Sequence, residues 1–143
     1  MSAHIFIAED EAAIITLLKY NLEKEGYKVS FCENGEDALK QIKDKLPDLI
    51  LMDWMLPDLS GVEICKNLKK DKKHNDIPVI MLTAKGEEED KLRAFDTGAD
   101  DYVTKPFSQK ELNARIKSLL RRSKPQSTVD VVEFTDLKID RIT

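Results

Sequence analysis

The sequence predicts an α/β fold: a doubly wound, five-stranded parallel sheet with helices on both faces. Three observations lead there. Short apolar runs alternate with amphipathic helical patterns five times before about Arg122. The third run, Leu49-Ile50-Leu51-Met52, is apolar throughout, as expected of a strand buried on both faces. Acids, a hydroxyl and an ammonium recur at the carboxyl ends of the runs, the edge where open α/β sheets place their chemistry.

Each element has its own signal. The first strand spans about His4 to Ala8. The first helix runs from about Glu11 to Glu25, with Ile14, Leu17, Leu18 and Leu22 as its apolar stripe and Gly26 as its stop. Strand two, Lys28 to Cys32, alternates Val29 and Phe31 with polar neighbours. Helix two starts at an Asn34 cap, carries Ala38, Leu39, Ile42 and Leu46, and ends at Pro47. The loop after Asp53 closes on Ser60-Gly61-Val62-Glu63, a capping box for helix three. Pro78 opens strand four, Val79 to Leu82. Four acids, Glu87 to Asp90, suit the amino-terminal dipole of a fourth helix, which Gly98 ends. Strand five covers Asp101 to Thr104. Ser108-Gln109-Lys110-Glu111 caps a fifth helix striped by Leu112, Ile116, Leu119 and Leu120.

Residues 1–122 therefore read as one domain. A linker-like stretch follows at 123–128, and Val129 to Thr143 alternates apolar and polar residues like the opening of a second domain. Those last residues are too few to fold alone. Hydrophobic residues make up 41% and charged ones 35%, an ordinary soluble balance without a membrane-length apolar stretch or a signal peptide. A net charge of −4 argues against binding a phosphate backbone through this chain. Cys32 and Cys65 have no ligand spacing, which suits a reducing, cytoplasmic setting, and His4 and His74 suggest no zinc site.

The chemistry gathers at the strand ends. Glu9 and Asp10 follow the first run, Asp53 the third, Thr83 the fourth and Lys105 the fifth. Three acids make an oxygen-rich site for a hard divalent cation: Mg²⁺, with Mn²⁺ as an alternative. A carboxylate can attack phosphorus and become an acyl phosphate. Glu9, Asp10, Asp53 and the Met55 carbonyl would hold the cation, while Lys105 and Thr83 would contact phosphoryl oxygens. A plainer reading has Glu9 and Asp10 satisfying the first helix's dipole. Lys105-Pro106 is either a cis bond aiming the lysine at Asp53 or a trans bond opening a loop. From spacing alone, Tyr102 is an ordinary strand aromatic.

Five motifs in order carry a family resemblance: the Glu9-Asp10 pair, Asp53-Trp54-Met55-Leu56-Pro57, Thr83-Ala84-Lys85-Gly86-Glu87-Glu88-Glu89-Asp90, Gly98-Ala99-Asp100-Asp101-Tyr102 and Lys105-Pro106-Phe107. From Met1 to about Arg122 the chain resembles the receiver domain of bacterial two-component response regulators of the OmpR/PhoB class. That resemblance implies a flavodoxin-like (βα)5 fold with strand order 2-1-3-4-5. It implies that Asp53 accepts a phosphoryl group from a sensor histidine kinase in a Mg²⁺-dependent reaction. Tyr102 would rotate as the switch partner of Thr83, and Lys105-Pro106 would be cis. Such a domain is no enzyme beyond its own phosphorylation and slow dephosphorylation. It would form a homodimer through helix four, strand five and helix five, using Lys91, Asp96, Asp100, Asp101, Glu111, Arg115 and Lys117. Across a twofold axis, Lys91 would pair with Glu111, Asp96 with Lys117 and Asp101 with Arg115. Charge alone also suits two solvated helix faces. Val129 to Thr143 resembles the start of a winged-helix domain, through which alone the protein would bind DNA and control transcription.

Three other functions suit the same fold. A flavin-binding protein would need a glycine- and hydroxyl-rich phosphate loop where Glu9-Asp10-Glu11 stands. A phosphatase of the haloacid dehalogenase type would need an acid at position 55, which is Met. A phosphate-independent interaction domain would be expected to lack one or more of the site residues.

Overall fold

The computed structural model describes residues 2–84 and 98–123. The predicted fourth helix, with Lys91 and Asp96, and the segment from 124 to 143 lie outside the described residues. The elements in order are β1 (His4–Ala8), α1 (Ala12–Lys24), β2 (Lys28–Cys32), α2 (Gly35–Lys45), β3 (Leu49–Asp53), α3 (Gly61–Lys70), β4 (Val79–Ala84), β5 (Asp101–Lys105) and α4 (Gln109–Ser123), which is the predicted fifth helix.

All strands pair in parallel, in the order β2-β1-β3-β4-β5. The apolar runs explain why. β3 is central and buried at every position, so its residues need no polar alternation. Its odd-numbered residues Leu49 and Leu51 join Ile5, Ile7, Ile80, Leu82 and Val103 under α1 and α4. Its even-numbered residues Ile50 and Met52 join Phe6, Ala8, Val79 and Met81 under α2 and α3. Each fully buried Leu or Ile here contributes about 1.5–3 kcal/mol relative to exposure. Truncating Ile50 to Ala would cost about 2–5 kcal/mol, because a packed sheet cannot collapse into the void.

The helix caps are those the sequence signals. Asn34 accepts the N–H of Asp37 at 2.9 Å, Ser60 that of Glu63 at 3.2 Å and Ser108 that of Glu111 at 3.2 Å. Gly61 follows its cap for a steric reason: a Cβ there would collide with the carbonyl oxygen of Asp53.

Several boundaries and faces differ from the sequence reading. In α1, Ile15, Leu18 and Leu22 are buried while Leu17 is exposed. The 100° step turns Leu17 well away from the line through 15, 18 and 22. Leu46 is not part of the α2 stripe; it takes a left-handed conformation (φ 49°) as the C-cap and is half exposed. Proline at 47 disfavours right-handed helix at the residue before it. β4 runs two residues further than predicted and takes in Thr83, β5 takes in Lys105, and α4 continues through Ser123.

Candidate functional site

The carboxyl ends of β1, β3 and β5 bring Glu9, Asp10, Asp53 and Lys105 together. One oxygen each from Glu9, Asp10 and Asp53 lies within 4.8 Å of the others. Glu9 is fully buried and Asp53 is 6% exposed, whereas Asp10 faces solvent. Lys105 Nζ donates to Glu9 Oε1 at 2.9 Å and stands 3.5 Å from Asp53 Oδ1 and 3.7 Å from Glu11 Oε1. The second oxygen of Glu9 accepts the N–H of Glu11 at 3.1 Å. Glu9 therefore also serves the start of α1, so part of its plainer role is present too.

Burial pushes the Asp53 carboxyl up to about 7, and the negative charge of Glu9 adds to this. Lys105 and the Met55 N–H, which donates to Asp53 Oδ1 at 3.3 Å, pull the other way; a hydrogen bond with Asp10 pushes up again. Burial pulls Lys105 down, but Glu9, Asp53 and Glu11 outweigh it and hold the ammonium above its ordinary range.

The donor set fits a hard divalent cation. Three clustered carboxylates face one ammonium, which leaves a local negative excess that a cation would neutralise. The Met55 carbonyl lies in the loop directly after Asp53. Asp53 and Trp54 diverge: Asp53 continues the Leu49–Leu51 side, while Trp54, 5% exposed, packs into the core under α2 and α3.

Thr83 is fully buried, and its Oγ1 has no hydrogen-bond partner among the described residues. The register sets Leu82 beside Asp53, so Thr83 lies one residue further along, on the opposite face by alternation. Tyr102 pairs with Met81 and Thr104 with Thr83, so Tyr102 shares the Thr83 face, its ring half-buried against the core under α2 and α3. The Lys105-Pro106 bond is cis.

The charges assigned to the dimer face are already partly engaged within the chain. Arg115 Nη1 donates to Asp101 at 2.8 and 2.7 Å, and Nη2 donates to Glu111 at 3.0 Å. Asp100 accepts the N–H of Val79 at 2.8 Å and the Lys69 ammonium at 3.2 Å. Lys117 sits on another flank of α4, 3.7 Å from Glu25 at the end of α1.

Sequence reasoning missed Glu11 as a neighbour of the lysine, and Asp58, which bridges two loops. The signal for Asp58 is its place after Pro57, where an Asp commonly bonds nearby backbone.

Residues 5–117 match the response regulator receiver domain, and the chain belongs to that family. Among curated relatives, the phosphate regulon transcriptional regulatory protein PhoB of Escherichia coli is 48% identical over 140 residues, covering 98% of this chain and 61% of that one. PhoB of Rhizobium meliloti is 46% identical over 143 residues, 100% of this chain and 63% of that one. The alkaline phosphatase synthesis transcriptional regulatory protein PhoP of Bacillus subtilis is 52% identical over 123 residues, covering 86% and 50%. The chain thus spans about six tenths of the PhoB relatives and half of PhoP.

Two solved structures show the same fold. One is the signal receiver domain of a signal transduction histidine kinase from Syntrophus aciditrophicus (TM-score 0.82, 33% identity, covering 90% of this chain and 98% of that one). The other is the receiver domain of a sensor histidine kinase from Pseudomonas aeruginosa, described with a magnesium ion coordinated in its active-site cleft (TM-score 0.79, 27% identity, covering 85% and 99%). Among the described residues, no helix is long and apolar enough to cross a membrane.

Proposed function

We propose that this chain is a phosphorylation-controlled receiver in which Asp53 accepts a phosphoryl group from the phosphohistidine of a sensor kinase. One observation carries the reading: a nearly buried carboxylate stands 3.5 Å from a lysine and clustered with two further acids at a strand end. The Asp53 oxygen forms a bond to phosphorus as the bond from phosphorus to the donor nitrogen breaks. The electron pair leaves with the imidazole. Lys105 meets a phosphoryl oxygen, exchanging part of its bond with Glu9 for the new anion. Thr83 supplies a hydroxyl that otherwise lacks a partner among the described residues. Glu9, Asp10, Asp53 and the Met55 carbonyl would hold Mg²⁺ or Mn²⁺, which screens the repulsion between carboxylate and phosphoryl oxygens.

The output follows from movement of Thr83 toward the phosphoryl group and of Tyr102 into the space it leaves, a two-state element biased by one new anion. The phosphorylated chains would pair through the predicted fourth helix, β5 and α4. Asp100, Asp101, Glu111, Arg115 and Lys117 are the described residues of that face, and Lys91 and Asp96 would complete it. Residues 1–122 would be the receiver, 123–128 a linker, and 129–143 the start of a DNA-binding domain through which a cytoplasmic regulator controls transcription. The names of the PhoB and PhoP relatives support this regulatory role.

Incubation with acetyl phosphate, read by intact mass, tests the core of the proposal. One phosphoryl group should be added per chain with Mg²⁺ and none after chelation. Asp53→Asn should abolish the addition while leaving the fold intact; modification at full rate in that variant would refute the assignment.

A further inference from the structure

The turn between β2 and α2 lies against the loop that follows Asp53, and Asp58 joins the two. Its Oδ1 accepts the N–H of Gly35 at 2.6 Å and that of Leu59 at 2.9 Å, while its Oδ2 accepts the N–H of Glu36 at 3.0 Å. The first helical amides have no partner inside a helix. In α2, Asn34 takes the N–H of Asp37, and Asp58 takes the two before it from a loop more than twenty residues away in sequence. The bonds from Glu36 and Gly35 hold the Asp58 carboxyl below its ordinary range. Contact between the two segments is close: a Cβ on Gly35 would collide with the carbonyl oxygen of Leu59.

The same turn reaches the other side of the site. The Cys32 carbonyl accepts the N–H of Glu9 at 3.1 Å, and the Cys32 thiol donates to the Asn34 carbonyl at 3.3 Å. Thus the β2–α2 turn holds the Glu9–Asp10 end through backbone and the Met55-bearing loop through Asp58. Within that loop, Met55 itself is largely exposed, and among the described residues its N–H bonds back to Asp53. The Trp54 backbone, bonded to Leu82 and Gly61, and the buried Leu56 hold the loop on either side of the Met55 carbonyl, and the Asp58 clamp fixes it further along.

We propose that Asp58 is a positioning residue for the cation site. By clamping the loop onto the first amides of α2, it sets the Met55 carbonyl relative to Glu9, Asp10 and Asp53, and so sets divalent-cation affinity. The inference rests on the reading that these four groups hold the cation. A plain cap would contribute stability alone; a positioning residue alters cation binding separately from stability.

Calorimetric titration of Mg²⁺ at pH 8 separates the two. The variants are Asp58→Ala, the nearly isosteric Asp58→Asn, and Asp71→Ala as a control. Asp71 accepts the N–H of Lys73 at 2.9 Å and stands 2.9 Å from Nδ1 of the buried His74 beyond the carboxyl end of α3, so it tests loss of a loop carboxylate away from the strand ends. Asp58→Ala should raise the Mg²⁺ Kd about tenfold and Asp71→Ala by less than about twofold, the scale of groups that support metal ligands. Asp58→Asn keeps one acceptor oxygen and should recover part of the loss. Hydrogen exchange at Gly35 and Glu36 should speed up in Asp58→Ala before any metal is added. A parental Kd in both Asp58 variants would overturn the positioning role alone. A parent protein that binds no Mg²⁺ would overturn the site assignment and this inference together.

Discussion

Lys105 bonds to Glu9, not to Asp53: its ammonium is 2.9 Å from the Glu9 carboxylate and 3.5 Å from Asp53. Glu9 is fully buried, and the Lys105 ammonium is the cation bonded to it. Lys105→Ala leaves a buried carboxylate uncompensated and should cost about 3–5 kcal/mol of stability in chelator at pH 8. Mg²⁺ should restore part of this by replacing the missing positive charge. Thermal melts with and without Mg²⁺ test both halves, and a variant as stable as the parent in chelator would remove the structural role of the pair.

Asp53 makes the metal-free protein sensitive to pH. Its folded pKa of about 7 lies above the ordinary 3.8. An acid raised in this way contributes stability that is fully present below the unfolded value and is lost as pH rises through about 7. The groups facing it are Glu9, Asp10 and Lys105, with the Met55 N–H. In chelator, Asp53→Asn should therefore gain on the parent between pH 4 and 7 and hold a constant lead above that. The lead at pH 8 should be on the order of 1–4 kcal/mol, as when a buried charge in a cluster is neutralised. A lead that does not change with pH would mean that Asp53 is ionised throughout.

Thr83 carries a buried hydroxyl without a partner among the described residues, so Thr83→Ala removes a desolvated polar group. Stability of the unphosphorylated protein should change by less than about 1 kcal/mol, or rise. The variant should still accept phosphate at Asp53. Its dimerisation on phosphorylation should fall, because the moving hydroxyl that frees space for Tyr102 is gone. Sedimentation of both proteins with a beryllofluoride mimic measures the coupling, and equal dimerisation would remove Thr83 from the switch.

Arg115 holds both oxygens of Asp101 within its own chain, so the expected intermolecular pair can form only by exchanging partners. Such an exchange conserves the number of ion pairs, and exposed pairs are worth only about 0–1 kcal/mol each. These charges should therefore set the register of a dimer more than its strength. Arg115→Glu should weaken the phosphorylated dimer, and adding Asp101→Arg should recover part of it. Raising the salt concentration should also weaken the parent dimer. A double reversal that recovers nothing would point to a different interface.

The residues alone were enough for the layered sheet, because a strand buried on both faces must be apolar throughout and an amphipathic helix must repeat its apolar face. Ile50 and Met52, the caps at Asn34, Ser60 and Ser108, and the clustering of Glu9, Asp10, Asp53 and Lys105 at strand ends were all legible for that reason. Each is a signal local to one element, a residue's place in or at the end of its own strand or helix. The strand order was legible only through the family resemblance. What the tertiary structure decided was the choice among partners equally available to the sequence. Lys105 could have paired first with Asp53, Arg115 with another molecule, and Asp58 with the adjacent Leu59 N–H alone. Each choice instead depends on how distant elements are brought together: the height of β1 against β5, of β5 against α4, and of the loop after Asp53 against the first turn of α2. Hydrogen bonds and ion pairs act over a few ångströms. Side-chain types in order leave those separations undetermined until the packed sheet sets them.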